Sequence, residues 1–494
     1  MPSLSLLVTA TVLFAQSTIA FNCSTKPIYV DIHKRVVHDS PVFQYGSFIG
    51  VGTGETASAT SAQNHSLWPS LSQNHMSFGA HGYCQKSTLS HCDTSTGGFY
   101  SSNQSTTFIE YKDFKTLDAD SNNTLEGYFG QDTLRLYTHF FETDGASQTL
   151  LLNSTIEVAT AGAIEPGRVG MGSSSTLLQD LAGREMIAGK TYSLYIGQGF
   201  DRAGGKVNGS NVFGGYDSGR FTGTPHQYPM NTNNVNAMSV RIKDVIITET
   251  QNGANQSLFD PAVFTDMKSR PETFEAQITT EQFPLSLPYQ ITQNFIKALA
   301  AQKDNYWGDN SLKLTKDFNG TLSIILEDGL TITFPSEVLR NASNITPIQS
   351  RDEKDDSPFL LGSAFLGQVY LMADYDSNNF FLAEAVQKNN MVMPVTFCPK
   401  STPEAYERPK QNQWQSQGLI GAVIGGVIGG LGCIGALYCL YISWLRRSDE
   451  RRLRRDLARN SAAKMEQMDV ESAPSFDAPP TKSVKEKAFF WKKG

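Results

Sequence analysis

Carboxylates are scarce in one long stretch of this 494-residue chain, and charge of either sign is missing from another. Between Val51 and Cys92 the only carboxylate is Glu55, and from Gly418 to Leu445 there is no charged residue at all. The first scarcity removes paired-carboxylate acid–base chemistry from its region, because that chemistry needs two acids within reach of one water. The second excludes a solvent-exposed loop and leaves an apolar helix of ~20 or more residues, enough to cross a bilayer. Other machinery is also missing: the chain has no Gly-X-Ser-X-Gly elbow, no His-Glu-X-X-His and no phosphate loop. The glycine-rich Val51–Glu55 stretch lacks the lysine that phosphate binding requires.

The two ends read as targeting and anchoring segments. Leu4 to Phe14 is an apolar run without a preceding Lys or Arg, and Thr18 and Ala20 follow at signal-peptidase spacing. Residues 1–20 are therefore expected to be a signal peptide, leaving Phe21 as the mature start. Past the apolar stretch at 418–445 come Arg446, Arg447, Arg451, Arg452, Arg454 and Arg455, while Gln411–Gln417 is neutral. Positive charge stays cytoplasmic, which predicts a single-pass type I chain with its ectodomain outside the plasma membrane. After Leu445 there are 13 Lys or Arg against 8 Asp or Glu, and before it 28 against 40. The acidic exterior argues against nucleic acid as a partner. The basic opening of the tail, Arg446–Met468 within 446–494, suits anionic headgroups. Gly421, Gly425 and Gly429, with Gly426 and Gly430, recur at every fourth position and would let a second copy of the helix approach, so a homodimer is expected through this span.

Asn22, Asn64, Asn103, Asn122, Asn153, Asn208, Asn255, Asn319, Asn341 and Asn344 each open an Asn-X-Ser/Thr triplet, and none lies in the tail. Ten sites on the side expected to be lumenal predict a glycoprotein with these positions in surface loops. Four cysteines, Cys23, Cys84, Cys92 and Cys398, fall outside the membrane. Three pairings are possible; Cys84 with Cys92 closes the shortest loop and leaves Cys23 with Cys398. Crosslinking so long a loop removes denatured-state entropy worth about 4–5 kcal/mol in the loop-closure model. His81, Cys84, His91 and Cys92 together offer four ligands for zinc, but adjacent His91 and Cys92 converge poorly on one ion, and no metal or other cofactor is expected. Cys433 and Cys439 lie within the span, open to packing or palmitoylation.

β-Branched or alternating runs at Lys26–Asp31, Thr149–Thr155, Tyr192–Ile196, Ser239–Glu249 and Leu322–Phe334 are separated by Gly, Asn, Asp and Ser clusters. Helical periodicity is confined to Ser175–Ala188 and Pro288–Gln302. Many short strands and little helix predict a mainly β ectodomain over residues 21–400. Ser401–Gln417, rich in Pro, Gln and Glu, reads as a stalk.

Several segments, in order, carry a resemblance. They are Val51-Gly52-Thr53; Gly98–Phe108 with Ser105-Thr106-Thr107-Phe108; Glu126-Gly127 through Asp132-Thr133-Leu134; Gly167-Arg168-Val169-Gly170-Met171-Gly172; Asn211–Ser218 with Phe221-Thr222-Gly223; and Leu361–Leu366 with Tyr370 and Asp374–Ala383. Together they resemble the pepsin-like (A1) aspartic peptidase family. The resemblance implies a bilobal double β-barrel, with an N-lobe near 27–224 and a C-lobe near 225–398. It also implies two active-site loops, each with a catalytic aspartate.

Those aspartates are absent. The stretch similar to Leu-Leu-Asp-Thr-Gly-Ser-Ser is Trp68-Pro69-Ser70-Leu71-Ser72-Gln73-Asn74, which sets Ser70 at the first acid position; a register anchored on Leu67-Trp68 would set Ser61 there. In the second lobe, Ala276-Gln277-Ile278-Thr279-Thr280-Glu281-Gln282 is similar to Ala-Ile-Val-Asp-Thr-Gly-Thr, so Thr279 replaces the acid and Glu281 the turn glycine. The flap tyrosine position falls near Ala119-Asp120. Hydroxyls without a base cannot share a proton across one water. The sequence thus predicts a pseudoenzyme acting as an extracellular binding or surface module, with a peptide or wall glycan in the cleft between lobes. The alternative is an active aspartic endopeptidase with unconventional acids, for which Glu281 and Glu55 are the nearest candidates.

Overall fold

The computed structural model describes residues 21–52, 62–117, 124–137, 148–197, 208–250, 253–304, 310–340, 344–387, 392–407 and 418–468. The expected signal peptide, Glu55, Ser61, the flap position at Ala119-Asp120, Asn122, Asn341, stalk residues 408–417 and the tail beyond Met468 lie outside the described residues. By its contacts the chain divides into a unit at Met1–Tyr406 and a second at Glu407–Gly494.

The first unit is mainly β, in keeping with the bilobal pepsin-like fold. Its largest sheet has fourteen strands, and at one end it weaves both ends of the unit together. There Phe221–Pro229, Asn379–Ala385, Val369–Asp374, Thr191–Gly197, Asn208–Phe213 and Ile28–Val36 are consecutive neighbours. The sheet continues through Phe43–Val51, Gln63–Ser70, Arg168–Gly170, Met76–Ala80, Gln148–Gly162 and Thr124–Tyr137 to the edge strand Ile109–Leu117. A separate six-stranded sheet runs Thr331–Phe334, Gly320–Leu326, Ser239–Glu249, Phe274–Ile278 and Leu360–Leu361, with Asn255–Ser257 beside the third. Gly320–Leu326 illustrates why: Leu322, Ile324 and Leu326 are buried while the residues between them are not, the two-residue period of a strand with one face on a core. The predicted run Leu322–Phe334 is a hairpin, bent at Asp328-Gly329, where Gly329 takes φ 96°.

Both predicted helices form but stop early. Thr176–Gly183 is capped by Ser175, whose hydroxyl accepts from the amide of Leu178, and it buries Leu177, Leu178 and Leu181. Gly183 is a poor helix former, and Glu185 then turns left-handed at φ 57°. Tyr289–Leu299 buries Ile291, Phe295 and Leu299 at four-residue spacing and ends at left-handed Ala300.

Buried polar hubs anchor the loops. Asp132 is fully buried and accepts from the Tyr100 hydroxyl at 2.5 Å, from Ser105 at 3.0 Å, from Thr107, and from the Thr133 amide at 2.7 Å. A carboxylate so satisfied fixes the Ser105–Phe108 loop against its strand. Cys84 pairs with Cys92 and Cys23 with Cys398, with Cα atoms 5.6 and 5.3 Å apart, so two of the four zinc-ligand candidates are bonded to each other. His81 instead faces Asp39 at 3.1 Å. Of the described sequons, Asn22, Asn103, Asn153, Asn208, Asn255 and Asn319 are exposed, while Asn64 and Asn344 are half-buried.

Among its described residues the second unit contains one helix, Leu419–Met468, long and apolar enough to cross a membrane. At 1.5 Å per residue its 50 residues extend roughly 75 Å, more than twice a ~30 Å hydrocarbon core. The apolar stretch and the arginine-rich stretch are one continuous helix, ending at the Met468 read from the sequence.

Candidate functional site

Two parallel strand pairs build the centre of the first unit in the same way. Gln63–Ser70 pairs with Arg168–Gly170 through Trp68–Arg168, Pro69–Val169 and Ser70–Gly170. Phe274–Ile278 pairs with Leu360–Leu361 through Gln277–Leu360 and Ile278–Leu361. Each strand then breaks into a loop backed by a glycine that nothing larger can replace. A β-carbon on Gly170 would lie 2.5 Å from the backbone of Asn74 and His75, and one on Gly362 would lie 2.4–2.6 Å from the carbonyls of Pro284, Gln282 and Phe283.

Ser70 ends the first strand. It is fully buried; its carbonyl accepts from the Met171 amide at 2.8 Å, and its hydroxyl has no hydrogen-bond partner. Thr279 follows the second strand, buried, its amide donating to the Leu361 carbonyl at 2.9 Å and its hydroxyl accepting from the Glu281 amide at 3.1 Å. The loops meet through Thr280: its hydroxyl accepts from the Leu71 amide at 3.2 Å, and its carbonyl from the Trp68 indole at 2.8 Å. Leu71 and Thr280 are thus in contact, each one residue beyond Ser70 and Thr279. Among the described residues, neither the Ser70 hydroxyl nor the Thr279 hydroxyl is hydrogen-bonded to a carboxylate.

The nearest charges surround Arg168, a residue the sequence reading passed over. Its guanidinium is 9% exposed, donates to Glu165 at 2.7 Å and lies 3.5 Å from Glu281. A cavity of about 510 Å³ opens here, lined among others by Phe43, Trp68, Glu165, Arg168, Glu281 and Phe283. Glu281, considered above as a substitute acid, is therefore engaged with a cation. A carboxylate pair that shares a proton has to face its partner directly, and here a guanidinium lies between the two. One signal for Arg168 was visible: it occupies an apolar position of the Gly-Arg-Val-Gly segment. Its partner across the junction could not be read from spacing. Among the described residues no group of three His, Cys, Asp or Glu side chains is arranged to hold a metal ion.

Two further groups, buried His65 and half-buried Glu157, have altered acidities. Burial, reinforced by nearby His38, lowers the His65 imidazole to about 3. Burial raises the Glu157 carboxyl to about 7.

Comparison with known proteins agrees with this architecture. The family model for eukaryotic aspartyl protease matches residues 67–385. Gastricsin of Callithrix jacchus is 24% identical over 319 residues, covering 61% of this chain and 74% of that protein. Aspartic proteinase 3 of Saccharomyces cerevisiae is 25% identical over 365 residues, 67% of this chain and 58% of the yeast protein, so the chain spans little more than half of that relative. Gastricsin of Rattus norvegicus is 22% identical over 316 residues. The matched region carries both parallel strand pairs and both loops, and the chain belongs to the eukaryotic aspartyl protease family.

Proposed function

We propose that this chain is a catalytically silent member of its family, a type I glycoprotein of the plasma membrane whose two-lobed ectodomain binds rather than cleaves. The observation that carries the reading is the Leu71–Thr280 contact. It favours the register in which Ser70 and Thr279 occupy the places of the two catalytic acids. A serine or threonine hydroxyl at its ordinary acidity neither activates a water as base nor returns a proton as acid. Glu281 at the turn-glycine position points the same way, since its carboxylate is committed to Arg168. The pocket beside the junction can still hold a ligand without chemistry.

The helix Leu419–Met468 would anchor the module. Its arginine-rich half would lie against anionic headgroups of the inner leaflet. Its glycines would permit pairing with a second copy. The competing reading, an active endopeptidase, draws on relatives named as a gastricsin and a proteinase. It needs acids recruited from elsewhere. Incubation of the purified protein with an unfolded protein substrate across about pH 3–7, with and without pepstatin, separates the two. An intact substrate supports the binding module, and pepstatin-sensitive cleavage refutes it.

A further inference from the structure

A bulge carries one of the glycosylation triplets to the mouth of a cavity. Gln148–Gly162 pairs Ser154 with Asp132 and Leu151 with Leu134, so Thr133 alone faces both Leu152 and Asn153. The extra residue bends the strand, and Asn153 takes up the bend in the left-handed region at φ 53°. Asparagine is among the few residues that enter that region readily. Both neighbours of Asn153 are tied to the helix Thr176–Gly183 and its end. The Ser154 hydroxyl donates to Asp180 at 2.9 Å. Arg184, just past the helix, donates to the Leu152 carbonyl at 2.7 Å and to Asp180 at 2.6 Å. Asn153 itself is exposed, fixed in place from either side.

Between bulge and helix lies a cavity of about 280 Å³ that Asn153 lines. Its floor is apolar, made by buried Met76, Leu134 and Leu177. Its rim is polar, with the cross-strand partners Gln131 and Thr155 on one side and Gln179 and Asp180 on the other. The Gln131 carbonyl accepts from the Tyr111 hydroxyl, which leaves its NH₂ to donate. Asp180 is matched by Arg184, so the rim offers no unbalanced charge. Small-molecule pockets start at about 300 Å³, so this one admits a single ring and not a chain.

We infer that the cavity holds the first N-acetylglucosamine of a glycan carried by Asn153. The inference rests on the reading of the chain as a glycoprotein and gives one of its sugars a binding site. The occupant is chosen by attachment, because the asparagine that would carry it lines the cavity. It is also chosen by chemistry. An N-acetylglucosamine ring is uncharged, with an apolar ring face and acetyl methyl to meet the floor and hydroxyls to meet the rim. A short covalent tether sets an effective concentration on the order of millimolar, so weak contacts fill the cavity. A free sugar would bear the full entropic cost of association at so small a site.

The test uses full-length protein made in a eukaryotic host with high-mannose glycans and kept folded in detergent. Peptide N-glycosidase, which cuts between asparagine and the first sugar, is added, and glycopeptide mass spectrometry follows each triplet with time. Release at Asn153 is expected about tenfold slower than at exposed Asn103, Asn255 and Asn319, the scale of one well-placed hydrogen bond. The difference should vanish once the protein is unfolded. An endoglycosidase that cuts beyond the first sugar should act on all four at similar rates. Gln179→Trp, which fills the cavity from an exposed helix position, should bring release at Asn153 to the rate of the others. Gln179→Ala should bring it part of the way, and urea unfolding verifies that each variant is folded. Equal rates at all four sites, or an unmodified Asn153 beside occupied ones, overturns the inference and leaves the glycoprotein reading intact. Absence of glycan from every triplet overturns both. Protection that survives both substitutions places the shield elsewhere and also overturns the inference.

Discussion

Replacing His65 with glutamine should make the first unit gain stability as the solution is acidified, the reverse of what a buried histidine imposes. His65 is lowered from 6.5 to about 3 by burial and by His38. Between those values the unfolded chain binds a proton that the folded chain refuses. Its contribution is therefore complete above pH 6.5 and is lost at about 1.36 kcal/mol per unit as the pH falls. Glu157 works in the opposite sense. Its carboxyl rises from 4.5 to about 7, so the folded state holds a proton that the unfolded state has released. That contribution is complete below pH 4.5 and disappears as the pH rises to 7, about 3.4 kcal/mol in all. Between pH 4.5 and 6.5 the two slopes cancel, so these groups give the parent protein no net dependence there. His65→Gln should then gain about 2.7 kcal/mol relative to the parent on going from pH 6.5 to 4.5, and Glu157→Gln should lose about the same. Urea unfolding of the segment ending at Tyr406, at several pH values, reads this as slopes, so a constant cost of either substitution drops out. Parallel pH profiles for parent and variants would refute the reasoning.

Further outcomes follow from single contacts. Cys23→Ser with Cys398→Ser opens a loop spanning 375 residues and should cost about 2–5 kcal/mol, visible as a lowered thermal midpoint without loss of secondary structure. Arg168→Met leaves Glu165 and Glu281 without their cation; because both carboxylates are about a third exposed, water offsets part of the loss, and about 1–3 kcal/mol by urea unfolding is expected. Glycopeptide mass spectrometry should find high occupancy at exposed Asn103, Asn153, Asn208, Asn255 and Asn319, and low occupancy at Asn64. The Asn64 side chain accepts from the Tyr137 hydroxyl at 2.9 Å within a paired strand, and His65 and Ser66 of its triplet are buried.

What could be read from the sequence was whatever local pattern dictates. Alternation exposed Gly320–Leu326, a serine cap and four-residue spacing exposed the two helices, and an uncharged run followed by arginines exposed Leu419–Met468. The motif order gave the family. The loop contact at Leu71 and Thr280 was implied only through that resemblance, because residues 209 positions apart leave no periodic trace. The Arg168–Glu281 pair was hidden for the same reason. Register between distant strands is decided by packing and hydrogen-bond pairing, and neither is written in spacing. The early stop at Gly183 was legible in principle; periodicity beyond it outweighed the glycine.

Hydroxyls at Ser70 and Thr279, standing where a proton-sharing acid pair would be, leave no means of peptide hydrolysis. Release of new amino termini from an unfolded protein substrate by the purified protein, followed from about pH 3 to 7 with pepstatin as control, measures this. No release above a substrate-only blank is expected at any pH. Release that pepstatin abolishes, and that survives Ser70→Ala with Thr279→Ala, would contradict it by showing that other carboxylates do the work.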